Sequence, residues 1–183
     1  MTSAPELEQT GTRIVYENRW MRVREDRTLR SDGKEGIYGV VEKPDFCVIA
    51  AIDQGFVHLV EQFRYPVGAR FWELPQGSWE GHPDLDPCLL ARAELKEETG
   101  LTARSMIHVA HLFLAYGFST QGYNVYLASE LEQGEPALDD DERGLVARAF
   151  AVSEVENMIC DGRIQDATTV AVFGLLRLKR LIT

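Results

Sequence analysis

Apolar and polar positions alternate between Thr12 and Glu42, in the pieces Ile14-Val-Tyr16, Met21-Arg-Val23 and Ile37-Tyr-Gly-Val-Val41. A period of two marks half-buried strands, and the breaks at Asn18-Arg19 and Ser31-Asp-Gly33 divide the stretch into three antiparallel strands. Lys43-Pro44 ends this piece and sets a boundary between residues 1–43 and residues 44–183. Residues 1–11 are polar and are expected to fray. Beyond the boundary the pattern changes. Phe46 to Ile52 is a continuous apolar run, and Phe56 to Phe63 follows after Asp53-Gln-Gly55, as in a hairpin of mostly buried strands.

Phe71-Trp-Glu-Leu-Pro-Gln-Gly77 leads into a loop rich in Gly, Pro and Asp. Asp86 then offers an N-cap, Pro87 a first helical residue and Gly100 a C′ residue, so a short helix lies between them. Ile107 to Ala115 and Gly122 to Ala128 read as strands, residues 130–144 as an acidic loop, and Ala147 to Val152 as a short strand. Ser153 is expected to cap a helix reaching Cys160, and Ala167 to Leu181 a final amphipathic helix. Strands, a helix, strands and then helices imply an α/β (α+β) fold, a mixed sheet with helices on both faces.

The chain of 183 residues, 45% of them hydrophobic, is long enough to bury a real core. Nineteen basic against 29 acidic residues give a net charge of −10, which argues against general nucleic-acid binding. No apolar run reaches membrane-spanning length and no signal peptide stands at the N-terminus, so no membrane partner is expected. Cys47, Cys88 and Cys160 are odd in number and lack metal-ligand spacing. They read as buried reduced thiols, which suits a cytoplasmic protein.

The helix before Gly100 carries the chemistry. Glu94, Glu97 and Glu98 fall within about a 100° arc of its surface, while Lys96 and Arg92 point elsewhere. Glu94 and Glu98 are like charges one turn apart, which disfavours a helix by about 0.2–0.5 kcal/mol. A hard divalent cation such as Mg²⁺ would offset that repulsion, because it takes oxygen ligands and keeps positions open for water and substrate phosphates. The competing reading is a solvated acidic face. Trp20, Trp72 and Trp79 are expected to pack. His58, His82, His108 and His111 show no helical ligand pairing and read as core or surface residues.

Gly77 together with Glu94-Leu-Lys-Glu-Glu-Thr-Gly-Leu101 resembles the Nudix box, Gly-x5-Glu-x7-Arg-Glu-U-x-Glu-Glu-x-Gly-U, with U apolar. Glu61-Gln-Phe-Arg-Tyr-Pro-Val-Gly68, Trp72-Glu-Leu-Pro-Gln-Gly77 and Asp161-Gly-Arg-Ile-Gln-Asp-Ala-Thr168 resemble the ADP-ribose pyrophosphatase branch of the Nudix hydrolases. The box is degenerate. Ala93 stands where the pattern has arginine, the spacing from Gly77 to Glu94 is two residues longer, and the early glutamate has no clear counterpart among Glu80, Leu85 and Asp86.

The resemblance implies an α/β/α sandwich behind a small N-terminal antiparallel strand region that serves a homodimer. It also implies Mg²⁺-dependent hydrolysis of the diphosphate in a nucleoside diphosphate-linked small molecule, ADP-ribose or another ADP-sugar, with Mn²⁺ as an alternative ion. The implied metal ligands are Glu94, Glu97, Glu98 and the Gln76 carbonyl, with Glu97 and Glu98 also counted as catalytic. The implied general base is Glu142, with Asp139, Asp140, Asp141 or a box glutamate as alternatives. Arg64 would meet the diphosphate and Glu73 either the terminal ribose or Arg64. Phe118, in Tyr116-Gly-Phe-Ser119, would wall a base or ribose. Hydrolysis of other nucleotide sugars, dinucleotides or coenzymes is the first alternative. A catalytically impaired nucleotide-binding module is the second.

Overall fold

The computed structural model describes residues 6–79, 86–136, 138 and 144–182. Three strands open the chain: β1 (Leu7–Glu17), β2 (Arg22–Arg30) and β3 (Glu35–Glu42). They form their own antiparallel sheet in the order β1-β2-β3. The turn expected at Asn18 is built by its side chain, whose Oδ1 accepts from the N–H groups of Trp20 and Met21, both at 2.9 Å.

The second sheet holds β4 (Phe46–Asp53), β5 (Phe56–Arg64), β6 (Ala69–Glu73), β7 (Gln76–Gly77), β8 (Leu101–Phe113), β9 (Gly122–Gln133) and β10 (Val146–Ala151). Its main path runs β10-β5-β4-β9-β8, with β6 on β5 and β7 on β4. The β4–β9 pair is parallel and the others are antiparallel, so the sheet is mixed. The hairpin forms as expected, with Asp53 opposite Phe56. Beyond Ala51 and His58 its strands part, and β6 and β7 fill the opening. This splay carries Glu73-Leu-Pro-Gln76 into the middle of the fold.

Period-two alternation explains the two cores. Cys47, Ile49 and Ala51 of β4 point to a cluster with Leu90, Ala91 and Leu95 of α1 (Pro87–Thr99). Val48 and Ala50 point the other way, to Val152, Val155 and Met158 of α2 (Val152–Cys160) and to Val172, Phe173 and Leu176 of α3 (Ala167–Leu178). The mixed α+β expectation, with helices on both sheet faces, is met.

Several local expectations change. The β8 strand starts at Leu101 rather than Ile107 and β9 runs on to Gln133, so Ser129, just past the expected strand end at Ala128, and Glu132, expected in a loop, are both paired. Ser153 does not cap α2: its N-cap is Ala151, whose backbone is extended as it leaves β10, and no side chain caps the helix. The last helix stops at Leu178, short of Leu181. There Arg180 adopts a positive φ of 56°. Arg180 N–H bonds the Arg177 carbonyl at 3.0 Å and Leu181 N–H the Leu176 carbonyl at 2.9 Å, the two bonds of a Schellman ending. Trp20 is 47% exposed rather than packed in a core, with the Arg19 guanidinium over its ring.

The thiols also divide. Cys47 is buried, Cys88 half-buried and Cys160 exposed, because α2 turns its final residue to solvent. Burial pushes the Cys47 thiol up to about 12. The native protein treated with iodoacetamide at pH 8 is therefore expected to alkylate at Cys160 and to spare Cys47 until it is denatured. Equal labelling of the two by peptide mass mapping would contradict the assigned burial.

Candidate active site

Helix α1 starts and stops where its end residues dictate. The Asp86 carboxylate accepts from Cys88 N–H at 2.9 Å and Pro87 occupies the first turn. Gly100 closes the helix at φ 74°, and a Cβ there would come within 2.5 Å of the Gly134 carbonyl, so the close crossing of β9's end also needs glycine. These limits set the register of the acidic face. Glu94 and Glu98 are buried, at 7% and 2% exposure, and Glu97 is half-buried.

The two buried carboxylates meet the backbone of β7. Glu98 Oε2 accepts from Gln76 N–H at 3.1 Å. The Glu94 carboxylate lies against Gly77, where an added Cβ would stand 2.2 Å from Oε2 and 2.4 Å from Cδ. Gly77 is therefore glycine because Glu94 occupies its side-chain space.

Gln76 and Gly77 border a cleft of about 740 Å³ whose lining includes Lys43, Phe46, Arg64, Glu73 and Asp166. Glu73 is 3% exposed and bridged to Arg64, whose Nε donates to Oε2 at 3.2 Å while Nη2 donates to Oε1. Gln62 Nε2 adds a third bond at 2.8 Å. Burial holds the Glu73 carboxyl above the usual carboxylate range, with Arg64 opposing that rise and Asp166 adding to it. The Arg64 side chain stays 40% exposed, so one edge of its guanidinium can still face an anion in the cleft.

Known proteins resemble this chain in both sequence and shape. Residues 8–41 match the model of the nucleoside diphosphate sugar hydrolase N-terminal domain. An ADP-ribose pyrophosphatase of Mycobacterium tuberculosis is 33% identical over 139 residues, which cover 74% of this chain and 65% of that protein. The chain thus spans just under two thirds of that relative's length. An ADP-ribose pyrophosphatase of Bacillus subtilis is 29% identical, with 82% of each chain covered. A methanol dehydrogenase activator of Bacillus methanolicus is 28% identical over 93% of this chain and 92% of its own. The crystal structure of an ADP compounds hydrolase superposes with a TM-score of 0.84, at 19% identity, over 97% of this chain and 95% of that one. In sequence the chain is similar to ADP-ribose pyrophosphatases, and its fold is that of the ADP compounds hydrolase.

Seen as a Nudix box, the Gly77 and α1 segment keeps its glutamates and loses its arginine. Ala93 takes the arginine's place. Arg92 does not stand in for it, because its Nη1 donates to the Ala103 carbonyl at 2.6 Å and ties α1 to β8. The early part of the box, residues 80–85, lies outside the described residues, with Glu80, His82 and Leu85 among them. Residues 139–143 do as well, so the structure does not describe Glu142, Asp139, Asp140 or Asp141.

The described site residues fall into two groups. Gln76, Glu94 and Glu98 meet at β7, with Glu97 on the same helix, and Arg64 and Glu73 form a pair on the cleft wall. Phe118 joins neither group. It is 58% exposed on the turn after β8, away from the cleft lining, and its carbonyl accepts from Val41 N–H at 2.8 Å. Sequence reading missed Lys43, an exposed cation on the cleft lining. The only sequence signal at Lys43 is a lysine beside a proline at the end of the strand region.

The donor set suits a hard divalent cation, since carboxylate and carbonyl oxygens are what Mg²⁺ takes. Among the described residues, no group of three or more His, Cys, Asp or Glu side chains is placed to hold a metal ion. The cradle at Gly77 offers a direct test. In Gly77→Ala the new methyl must displace the flexible Glu94 carboxylate rather than backbone. Calorimetry with Mg²⁺ alone is expected to show affinity weakened by about 10-fold or more. The melting temperature is expected to fall by only about 2–4 °C. Unchanged affinity would contradict the seating of Glu94.

Proposed function

We propose that this protein hydrolyses the diphosphate linkage of a nucleoside diphosphate sugar, with ADP-ribose the first substrate to test. One observation carries the reading: two buried carboxylates of α1 are seated on the backbone of Gln76 and Gly77, at the wall of a cleft that also holds Arg64. Carboxylate oxygens gathered beside backbone carbonyls are the donor chemistry that a hard divalent cation takes. The relatives named ADP-ribose pyrophosphatase support the substrate class.

In this reading Glu94, Glu97, Glu98 and the Gln76 carbonyl would hold Mg²⁺, with Mn²⁺ as a substitute. When bound, the ion would offset diphosphate charge and lower the pKa of water. Arg64 binds the diphosphate with the edge of its guanidinium that Glu73 leaves open, and Glu73 fixes the orientation of that fork. Water oxygen attacks one phosphorus, the bond from that phosphorus to the bridging oxygen breaks, and the water proton passes to a carboxylate. Glu142 is the proposed base, with Asp139, Asp140, Asp141 or a box glutamate as alternatives. Positioning and charge supply most of the rate. Phe118 is kept as a proposed contact for a base or ribose only on a cleft that extends past its described lining.

A second reading is a nucleotide-binding Nudix module with impaired catalysis. Ala93 favours it, together with the engagement of Arg92 by Ala103, which leaves the box arginine unreplaced. Hydrolysis of other nucleotide sugars, dinucleotides or coenzymes remains an alternative within the first reading.

Purified protein given ADP-ribose and Mg²⁺ is expected to release AMP and ribose 5-phosphate. Glu98→Gln keeps an oxygen acceptor for Gln76 N–H but removes the charge, and kcat is expected to fall by about 10²–10³. Glu142→Gln is expected to cost about 10²–10⁴. Binding of ADP-ribose without turnover, with Glu98→Gln indistinguishable from the parent, would favour the second reading.

Residues 1–43 are proposed as a dimerisation unit and residues 44–183 as the hydrolase domain. Support comes from the separate three-stranded sheet and from its exposed apolar side chains, Ile14, Tyr16 and Ile37 at 53%, 52% and 71%. Light scattering at micromolar concentration is expected to report a dimer, and Ile37→Lys to shift it toward monomer. A monomeric parent protein would end the proposal.

A further inference from the structure

The segment Glu73-Leu-Pro-Gln76 is held from four directions. The Glu73 side chain is bound by Gln62 and Arg64 of β5. The Pro75 carbonyl accepts from Ile49 N–H of β4 at 2.9 Å, and Gln76 N–H donates to Glu98 of α1 at 3.1 Å. The fourth tie comes from 95 residues away: Leu74 N–H donates to Thr169 Oγ1 at 2.9 Å. Leu74 and Thr169 are both fully buried, so no water can replace that acceptor.

Thr169 is itself fixed. Its hydroxyl donates to Asp166 Oδ2 at 2.7 Å, and its N–H donates to the same oxygen at 2.8 Å. Asp166 is the N-cap of α3. A hydroxyl has one proton to give. Here Asp166 takes it, so the oxygen lone pairs point back at Leu74. The cap that starts α3 thereby aims the acceptor that fixes the residue between Glu73 and the Pro75-Gln76 pair.

We propose that Thr169 is a positioning residue for the reaction proposed above, on which this inference rests: its hydroxyl, oriented by Asp166, sets the height of the Leu74 peptide and so the placement of Glu73 on one side and Gln76 on the other. Serine preserves the donor and acceptor, and valine preserves the shape while removing both. No reacting atom touches Thr169, so its loss acts through the two neighbours. Glu73 and its partner Arg64 move relative to Gln76 and Glu98, which separates the diphosphate contact from the carboxylate cluster.

The test compares Thr169→Val and Thr169→Ser with the parent, using ADP-ribose and Mg²⁺ kinetics, Mg²⁺ calorimetry and amide hydrogen exchange at Leu74. Thr169→Val is expected to lower kcat by about 10–100-fold with KM within about two-fold, to weaken Mg²⁺ binding, and to speed Leu74 exchange. Thr169→Ser is expected to restore all three to within about three-fold of the parent. Thr169→Ala serves in place of valine if valine does not fold, with the same expectations. Parent-like kcat and parent-like Leu74 exchange in the valine or alanine variant would overturn the proposal, as would failure of serine to rescue. If the parent protein hydrolyses nothing, the functional reading fails. The role of Thr169 is then decided by Mg²⁺ affinity and Leu74 exchange alone, where unchanged values overturn it.

Discussion

The seating of Glu94 and Glu98 on the Gln76-Gly77 backbone is the constraint from which the site follows. Two carboxylates on one helix face repel each other and resist burial, yet both are nearly enclosed. They are placed there by the ends of α1, by the missing side chain at Gly77 and by the N–H of Gln76. None of these is a strong interaction alone. Together they leave acidic oxygens facing a short strand whose own backbone borders the cleft. A helix shifted by one residue would turn both carboxylates by about 100° and lose the arrangement.

The sheet serves that contact. The parting of β4 and β5 opens room for β6 and β7, which bring Glu73 and Gln76 between the two strands. The helices then grip the segment from opposite faces, α1 through Glu98 and α3 through Thr169. Alternation along β4 assigns one set of side chains to each helix layer, so the core and the site share a register. A change in strand register would exchange the two layers and move Gln76 away from α1.

Much of this was legible in the chain. The three opening strands, the hairpin and α1 with both its end residues followed from alternation, turn chemistry and capping. So did the gathering of three glutamates on one helix face. What was not legible depends on long-range partners. The paired stretch from Leu101 to Ser105 carries Thr102, Arg104 and Ser105, whose polarity hides a strand that only pairing with β9 reveals. Ala151 starts α2 because a strand ends there, a fact no local signal announces. Arg64 and Glu73 could be guessed as partners, but the hold of Asp166 and Thr169 on Leu74 spans 95 residues and leaves no pattern in sequence. An aromatic ring after a strand is the whole of the sequence signal at Phe118, and the tie of its backbone to β3 left no mark there.

The acidic face of α1 and the Gln76 carbonyl are proposed to form a cation site beside a bound diphosphate. Anomalous diffraction from crystals soaked with Mn²⁺ and a non-hydrolysable ADP-ribose analogue measures this directly. A peak is expected within coordination distance of carboxylate oxygens from Glu94, Glu97 or Glu98, with the analogue's phosphates between it and Arg64. Full occupancy of the analogue with no peak near α1, or with its phosphates remote from Arg64, would contradict the proposed site.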